Sequence, residues 1–134
     1  MSHSNDIEII ESLVGASCER TLACNSIKIR FGCETNEKGS SYIWIDAPWE
    51  FQTRDKLLTE SYDYPSHEEP NSEERFSKWS SILNPLNKTI LKGVIYTAEK
   101  ELELEFENGY YIYVPYSNVK EDDEWYEHWY AKNS

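Results

Sequence analysis

Two short segments of this chain share one alternating pattern, and that pattern is the strongest constraint on its fold. Residues 27–31 read Ile-Lys-Ile-Arg-Phe, and residues 102–106 read Leu-Glu-Leu-Glu-Phe. Alternation of apolar and charged residues predicts a β-strand with one buried and one solvent-facing side. We therefore expect two equivalent strands, with Phe31 and Phe106 at matching buried positions.

A turn containing glycine and then an aromatic strand follow each of these segments. In the second half the turn is Asn108-Gly109, a strong hairpin signal, and the strand covers residues 110–116. In the first half a longer polar loop, residues 32–40, leads to the strand at residues 42–49. Each half therefore contains a predicted hairpin.

Each half also opens with a helical pattern. Apolar residues recur at helical spacing in residues 7–14 and again in residues 76–83. Asn5 or Asp6 is a candidate cap for the first pattern and Ser72 for the second, while Gly15 and Pro85 are expected to end them. One more strand is expected after each helix, at residues 17–23 and 90–97.

The pattern is thus helix, strand, strand, strand, repeated once. It predicts an α+β fold with a single domain over residues 1–134 and one mostly antiparallel sheet of about six strands. The repeat units cover about residues 5–49 and 72–116. Between them lies a connection at residues 50–71, expected to lack regular structure, and an acidic, aromatic tail follows at residues 117–134. The tail is expected to form a short helix, since Trp125 and Trp129 are four residues apart.

Patterns typical of catalysis and cofactor binding are missing from the sequence. It contains neither a nucleophile elbow nor a glycine-rich phosphate loop. His3, His67 and His128 are isolated from one another, and the three cysteines match no zinc spacing. We therefore expect no enzymatic activity, no metal, no cofactor and three reduced thiols.

The N-terminal stretch lacks the features of an export signal. Asp6, Glu8 and Glu11 interrupt the apolar run that a secretory signal needs. No run approaches the 18 or so apolar residues of a membrane span. We expect a cytoplasmic protein that does not enter a membrane.

The charge balance restricts the class of partner. The chain has 13 Lys and Arg against 25 Asp and Glu, so its net charge is −12. This sign disfavours binding to nucleic acid, whose phosphates require cations. The strand at residues 110–116 places Tyr111 and Tyr113 on one face, without a Lys or Arg between residues 106 and 119. These tyrosines fit a protein contact better than a base-stacking platform, or they pack beneath the helices.

Acids and aromatic side chains are concentrated in the connection and the tail, the two regions with the least core pattern. Acids accelerate association with a basic partner, and buried aromatic anchors supply affinity. The candidate partner-binding residues are Tyr62, Asp63, Tyr64, Glu68, Glu69, Glu121, Asp122, Asp123, Glu124, Trp125 and Trp129.

Two resemblances follow from these features. The segment Tyr126-Glu127-His128-Trp129 is similar to the Tyr-Glu-x-Trp ending of a family of small bacterial proteins of unassigned function. That family's layout would cover residues 83–129 and, more weakly, residues 13–49. A small acidic domain without catalytic motifs also resembles the immunity proteins of bacterial toxin systems, including contact-dependent growth inhibition. This resemblance implies a monomer that neutralises the C-terminal domain of a cognate toxin, expected to be a basic nuclease.

Two other classes of function remain open from the sequence. The chain could be a regulatory or scaffold module that binds a different basic protein. It could also be an enzyme or small-ligand binder, which would require an enclosed pocket with convergent polar groups. Nucleic-acid binding or mimicry is the least favoured reading. A neighbouring gene for a large toxin would distinguish the immunity protein from the others.

Overall fold

In a computed structural model, which describes residues 4–32, 41–65, 70–117 and 128–133, the chain adopts an α+β fold. The described residues form two helices and nine strands in two antiparallel sheets. The elements are α1 (Ser4–Leu13), β1 (Cys18–Ala23), β2 (Ser26–Phe31), β3 (Tyr42–Ile45), β4 (Glu50–Thr53), β5 (Leu57–Glu60), α2 (Ser72–Ile82), β6 (Leu91–Tyr96), β7 (Leu102–Phe106), β8 (Tyr110–Val114) and β9 (Trp129–Lys132).

Both predicted helices and all six predicted strands are present. Helix α1 ends just before Gly15, whose φ of +95° belongs to the left-handed region that glycine tolerates best. Gly109, with φ of +89°, turns the chain between β7 and β8, as the Asn-Gly pair predicted. Phe31 and Phe106 are only 2% and 1% exposed, so their predicted burial is confirmed.

The prediction of one sheet with about six strands was wrong. The strands form a four-stranded sheet in the order β1-β2-β3-β9 and a five-stranded sheet in the order β5-β4-β8-β7-β6. Strands β4 and β5 form a hairpin within the connection that was expected to lack structure. They are four residues each and are separated by the charged residues Arg54, Asp55 and Lys56, so neither shows a clear pattern in the sequence.

The end of the tail is a strand and not the predicted helix. Trp129 and Ala131 alternate toward the interior, where they pair with Ile45 and Ile43 of β3. The four-residue spacing of Trp125 and Trp129 therefore does not reflect a helical face at Trp129. The preceding tail residues, 118–127, lie outside the described part of the chain.

The two halves exchange strands. Each helix is followed by an antiparallel meander, β1-β2-β3 in the first half and β6-β7-β8 in the second. The next strand then joins the other half's sheet, because β4 pairs with β8 and β9 pairs with β3. Glu50 lies opposite Tyr113, so the residue before it, Trp49, lies beside Val114 of β8. Trp129 lies beside Ile45 of β3 in the same way, so the two tryptophans occupy equivalent positions. Both tryptophans are buried.

Two contacts mark a pseudo-twofold axis between the halves. Register places Cys18 opposite Phe31 and Leu91 opposite Phe106, so the preceding residues, Ser17 and Ile90, are equivalent. These two residues form a β-bridge with each other. Pro48 and His128, which precede the equivalent tryptophans, also meet, since His128 Nε2 lies 2.9 Å from the Pro48 carbonyl oxygen. The repeat seen in the sequence is therefore an approximate symmetry of the fold.

The core lies between the two sheets and the two helices. Helix α1 packs on β9 and β6, while α2 packs on β5. Arg20 ties β1 to the end of α2, because its Nη2 donates to the Ser80 carbonyl oxygen at 3.0 Å and to Asn84 Oδ1 at 2.9 Å. The strands that the two helices contact, β5, β6 and β9, are all edge strands of their sheets.

Candidate partner-binding surface

The outer face of the five-stranded sheet combines tyrosines with carboxylates. Strand alternation turns Glu103 and Glu105 outward, because Leu102, Leu104 and Phe106 are buried. Cross-strand register places Tyr113 between Glu50 and Glu103, and Tyr111 between Gln52 and Glu105. We call this surface the acidic tyrosine face: Glu50, Gln52, Glu103, Glu105, Tyr111 and Tyr113.

One end of the face is neutralised by its own cations. Tyr111 donates a hydrogen bond of 2.7 Å to Glu105, and Arg54 and Lys92 lie 3.4 and 3.9 Å from the same carboxylate. The hydrogen bond from Tyr111, together with these two cations, lowers the pKa of Glu105, and the bond raises the pKa of Tyr111. The Arg54 guanidinium also lies 4.6 Å from the centre of the Tyr111 ring. Tyr111 is only 5% exposed and is therefore already covered.

The other end of the face carries an excess of negative charge. Tyr113 donates a hydrogen bond to Glu101, which raises the pKa of Tyr113 to about 12. Burial raises the pKa of Glu50, and the neighbouring carboxylate of Glu60 raises it further. Within the described parts of the chain, no cation lies within 4 Å of the carboxylates of Glu50, Glu101 or Glu103. This end has anionic groups around a partly exposed aromatic ring.

A small open depression lies beside Tyr111 on this face. Its volume is about 130 Å³, and it is lined by Gln52, Thr53, Arg54, Glu103 and Tyr111. Pockets for small organic ligands usually measure about 300–1,000 Å³. The depression is therefore suited to the end of one side chain from a partner and not to a complete cofactor or substrate.

Two of the predicted residues that follow β5 serve the fold. The Asp63 carboxylate accepts hydrogen bonds from Thr59 Oγ1 at 2.8 Å and from the Glu60 N–H at 3.1 Å. Tyr64 packs edge-on against the rings of Phe76 and Trp79, at 6.0 and 5.5 Å between ring centres. Tyr64 is therefore better explained as a packing residue than as a partner contact.

Tyr62 and Trp129 have opposite exposures. Tyr62 is 64% exposed and is available to a partner. Trp129 is 3% exposed, and its ring lies 5.7 Å from that of Tyr96, so the structure places it in the core, and its predicted contact with a partner stays a prediction. The remaining predicted site residues lie outside the described part of the chain: Glu68, Glu69, Glu121, Asp122, Asp123, Glu124 and Trp125.

The sequence predicts part of the acidic tyrosine face. Alternation places Tyr111 and Tyr113 on one face of their strand and turns Glu103 and Glu105 toward solvent. The hairpin register set by Asn108-Gly109 is the signal that joins these four residues. Glu50 has no such signal, because the strand that brings it beside Tyr113 lies in the connection predicted to be irregular.

Several types of functional feature are not found in the described residues. In that part of the chain, no three His, Cys, Asp or Glu side chains are grouped as metal ligands would be. Neither described helix has the length and apolar character needed to cross a membrane. Comparison of the chain with known protein families, with curated proteins and with solved structures finds no match.

Proposed function

We propose that this protein is an immunity protein that binds and neutralises a basic toxin domain in the cytoplasm. The observation that carries the proposal is the anionic end of the acidic tyrosine face, where Tyr113 lies between Glu50 and Glu103. Tyrosine is enriched among the residues that dominate protein interfaces, and the carboxylates around it would complement a basic partner. The resemblance of the chain to immunity proteins supplies the class of partner.

The geometry suggests separate roles for the charges and the ring. Carboxylates without a described cation nearby attract a basic partner before contact and increase the association rate. Once the surfaces meet, Tyr113 supplies contact area that must be exposed again on dissociation. Burial is the main cause of the raised pKa of Glu50 and the Glu60 carboxylate adds to it, so a cation from the partner would stabilise the charged form of Glu50.

A second candidate function is a regulatory or scaffold module that binds another basic protein. The same face supports it equally, and only the identity of the partner separates the two. The depression on this face does not support an enzyme or small-ligand binder, since it measures only about 130 Å³.

Co-expression with the product of the neighbouring gene tests the proposal. We expect the two proteins to purify as a complex and the chain to restore growth to cells that produce the basic domain. Tyr113→Ala should weaken both effects, whereas Tyr116→Ala, which removes another exposed tyrosine, should not. Absence of a complex, or loss of binding in Tyr62→Ala but not in Tyr113→Ala, would contradict the proposal that the acidic tyrosine face binds the partner.

A further inference from the structure

The outer face of the four-stranded sheet carries the opposite charge pattern. Register places Lys28 beside Trp44 and Trp44 beside Tyr130, and in the next row it places Arg30 beside Tyr42 and Tyr42 beside Lys132. All six side chains point away from the buried residues of the same strands. We call this surface the basic aromatic face: Lys28, Arg30, Tyr42, Trp44, Tyr130 and Lys132.

The side chains of the basic aromatic face are ordered by contacts within it. Lys28 Nζ lies 4.3 Å from the centre of the Tyr42 ring, and Tyr42 meets Tyr130 edge-on at 6.1 Å. Among the described residues, two anions border this face, since Glu19 lies 3.6 Å from Arg30 and Asp46 accepts the indole N–H of Trp44 at 2.8 Å. The described part of the face therefore has a small excess of cations in a chain whose net charge is −12.

The pseudo-twofold axis relates the two outer faces position by position. Register makes Tyr42 equivalent to Tyr111 and Trp44 equivalent to Tyr113, so aromatic rings occupy the same places on both faces. At the neighbouring positions the charges are reversed. The reversed pairs are Lys28 with Glu103 and Arg30 with Glu105.

We propose that the basic aromatic face binds the acidic tyrosine face of a second copy of this chain. The two faces are complementary in charge, and both carry rings that suit an interface core. They belong to different sheets of one molecule, so the contact is head-to-tail and builds an open chain of copies or, where the rotation closes, a ring. A single-stranded nucleic acid is a poorer occupant, because Glu19 and Asp46 interrupt the cations that a phosphate backbone needs.

This contact goes beyond the proposed function and departs from the monomer that the sequence predicts. The sequence does not show that Lys28, Arg30 and Lys132 share one face, because Lys132 follows them by a hundred residues. Self-association would cover the acidic tyrosine face and compete with a basic partner. Excess partner should then convert the assembly into complexes that contain one copy of the chain.

Salt should affect this contact in two opposite ways. At about 0.01 M salt the Debye length of about 30 Å lets the whole negative charge of each copy repel the other. At about 0.15 M the length is about 8 Å, so the charges in contact dominate. At about 1 M even those are screened. We expect association to be strongest at the intermediate salt concentration.

Sedimentation velocity with charge-reversed variants tests the proposal. The wild-type mass should rise above the 15.8 kDa of one chain as its concentration increases from about 10 to 500 µM, the range of weak contacts. Lys28→Glu with Arg30→Glu should remain monomeric, as should Glu50→Lys with Glu103→Lys. An equimolar mixture of these two double variants should associate again.

A matched control and the binding of the basic partner separate this proposal from the proposed function. Glu8→Lys with Glu11→Lys makes the same charge change as Glu50→Lys with Glu103→Lys, but on exposed positions of α1. This control should still associate. Lys28→Glu with Arg30→Glu should abolish self-association while keeping the basic partner bound. A wild type that stays monomeric at every concentration and salt, or double variants that do not associate when mixed, would overturn the proposal.

Discussion

Replacing Trp129 by Ala should cost a large part of the stability of the protein. The side chain is 3% exposed and makes an edge-to-face contact with the ring of Tyr96. It also anchors a strand of only four residues. A buried Trp hides about 200 Å² of surface, which at about 25 cal/mol per Å² corresponds to about 5 kcal/mol. Measured costs for Trp→Ala in cores are about 3–5 kcal/mol, so we expect about 4 kcal/mol.

Urea unfolding monitored by circular dichroism would measure this loss, with Lys132→Ala as control on the same strand. Lys132 is exposed, so its replacement should change the free energy of unfolding by less than about 0.5 kcal/mol. A loss below about 1 kcal/mol in Trp129→Ala would refute the packing of β9 on β3. If that variant kept its stability but lost its partner, Trp129 would be a surface contact, as the sequence suggested.

Four other substitutions test the fold and its electrostatics. Phe31→Ala and Phe106→Ala should each lower the free energy of unfolding by about 3–5 kcal/mol in thermal melts, because both side chains are buried at equivalent positions. The folded-state pKa of Tyr113 is raised from 10.0 to about 12 by its hydrogen bond to Glu101. Its stabilising effect should therefore be present below pH 10 and disappear as the pH rises through about 12, and Tyr113→Phe should remove this dependence from unfolding curves. Arg20→Met should cost about 1–3 kcal/mol by urea unfolding, since it leaves α2 carbonyl and hydroxyl groups without their donor.

The sequence predicted the elements with strong periodicity and missed those without it. Strand β7 alternates over its five residues and ends at Phe106, and Asn108-Gly109 specifies its hairpin. Strands β4, β5 and β9 have four residues each and mix apolar with polar residues, so no period stands out. Strand β3 is equally short, but its aromatic and aliphatic run, Tyr42–Ile45, is typical of a strand. The place of β4, β5 and β9 in the sheets depends on the exchange between halves, which is a long-range contact and leaves no local pattern.

The candidate site was only partly predictable for the same reason. Tyr111, Tyr113, Glu103 and Glu105 lie on one hairpin, so local alternation indicated which way they point. Glu50 reaches them only because β4 crosses to the other half's sheet. Acids are densest along the sequence in the connection and the tail. Their density therefore predicts a binding surface there and gives no sign of a face assembled from separate strands.

Association kinetics test the central claim, that the anionic end of the acidic tyrosine face steers a basic partner. Glu50→Gln with Glu103→Gln would be compared with Glu8→Gln and Glu11→Gln, which removes the same charge from exposed positions on α1. Stopped-flow mixing would use the partner domain that the co-expression experiment identifies.

At low salt we expect association to slow about tenfold in the first variant and less than about twofold in the control, with the difference shrinking at about 0.15 M salt. Glu121→Gln with Asp122→Asn and Asp123→Asn would measure the contribution of the tail in the same assay. Equal rates for the face variant and its control at both salt concentrations would contradict the account.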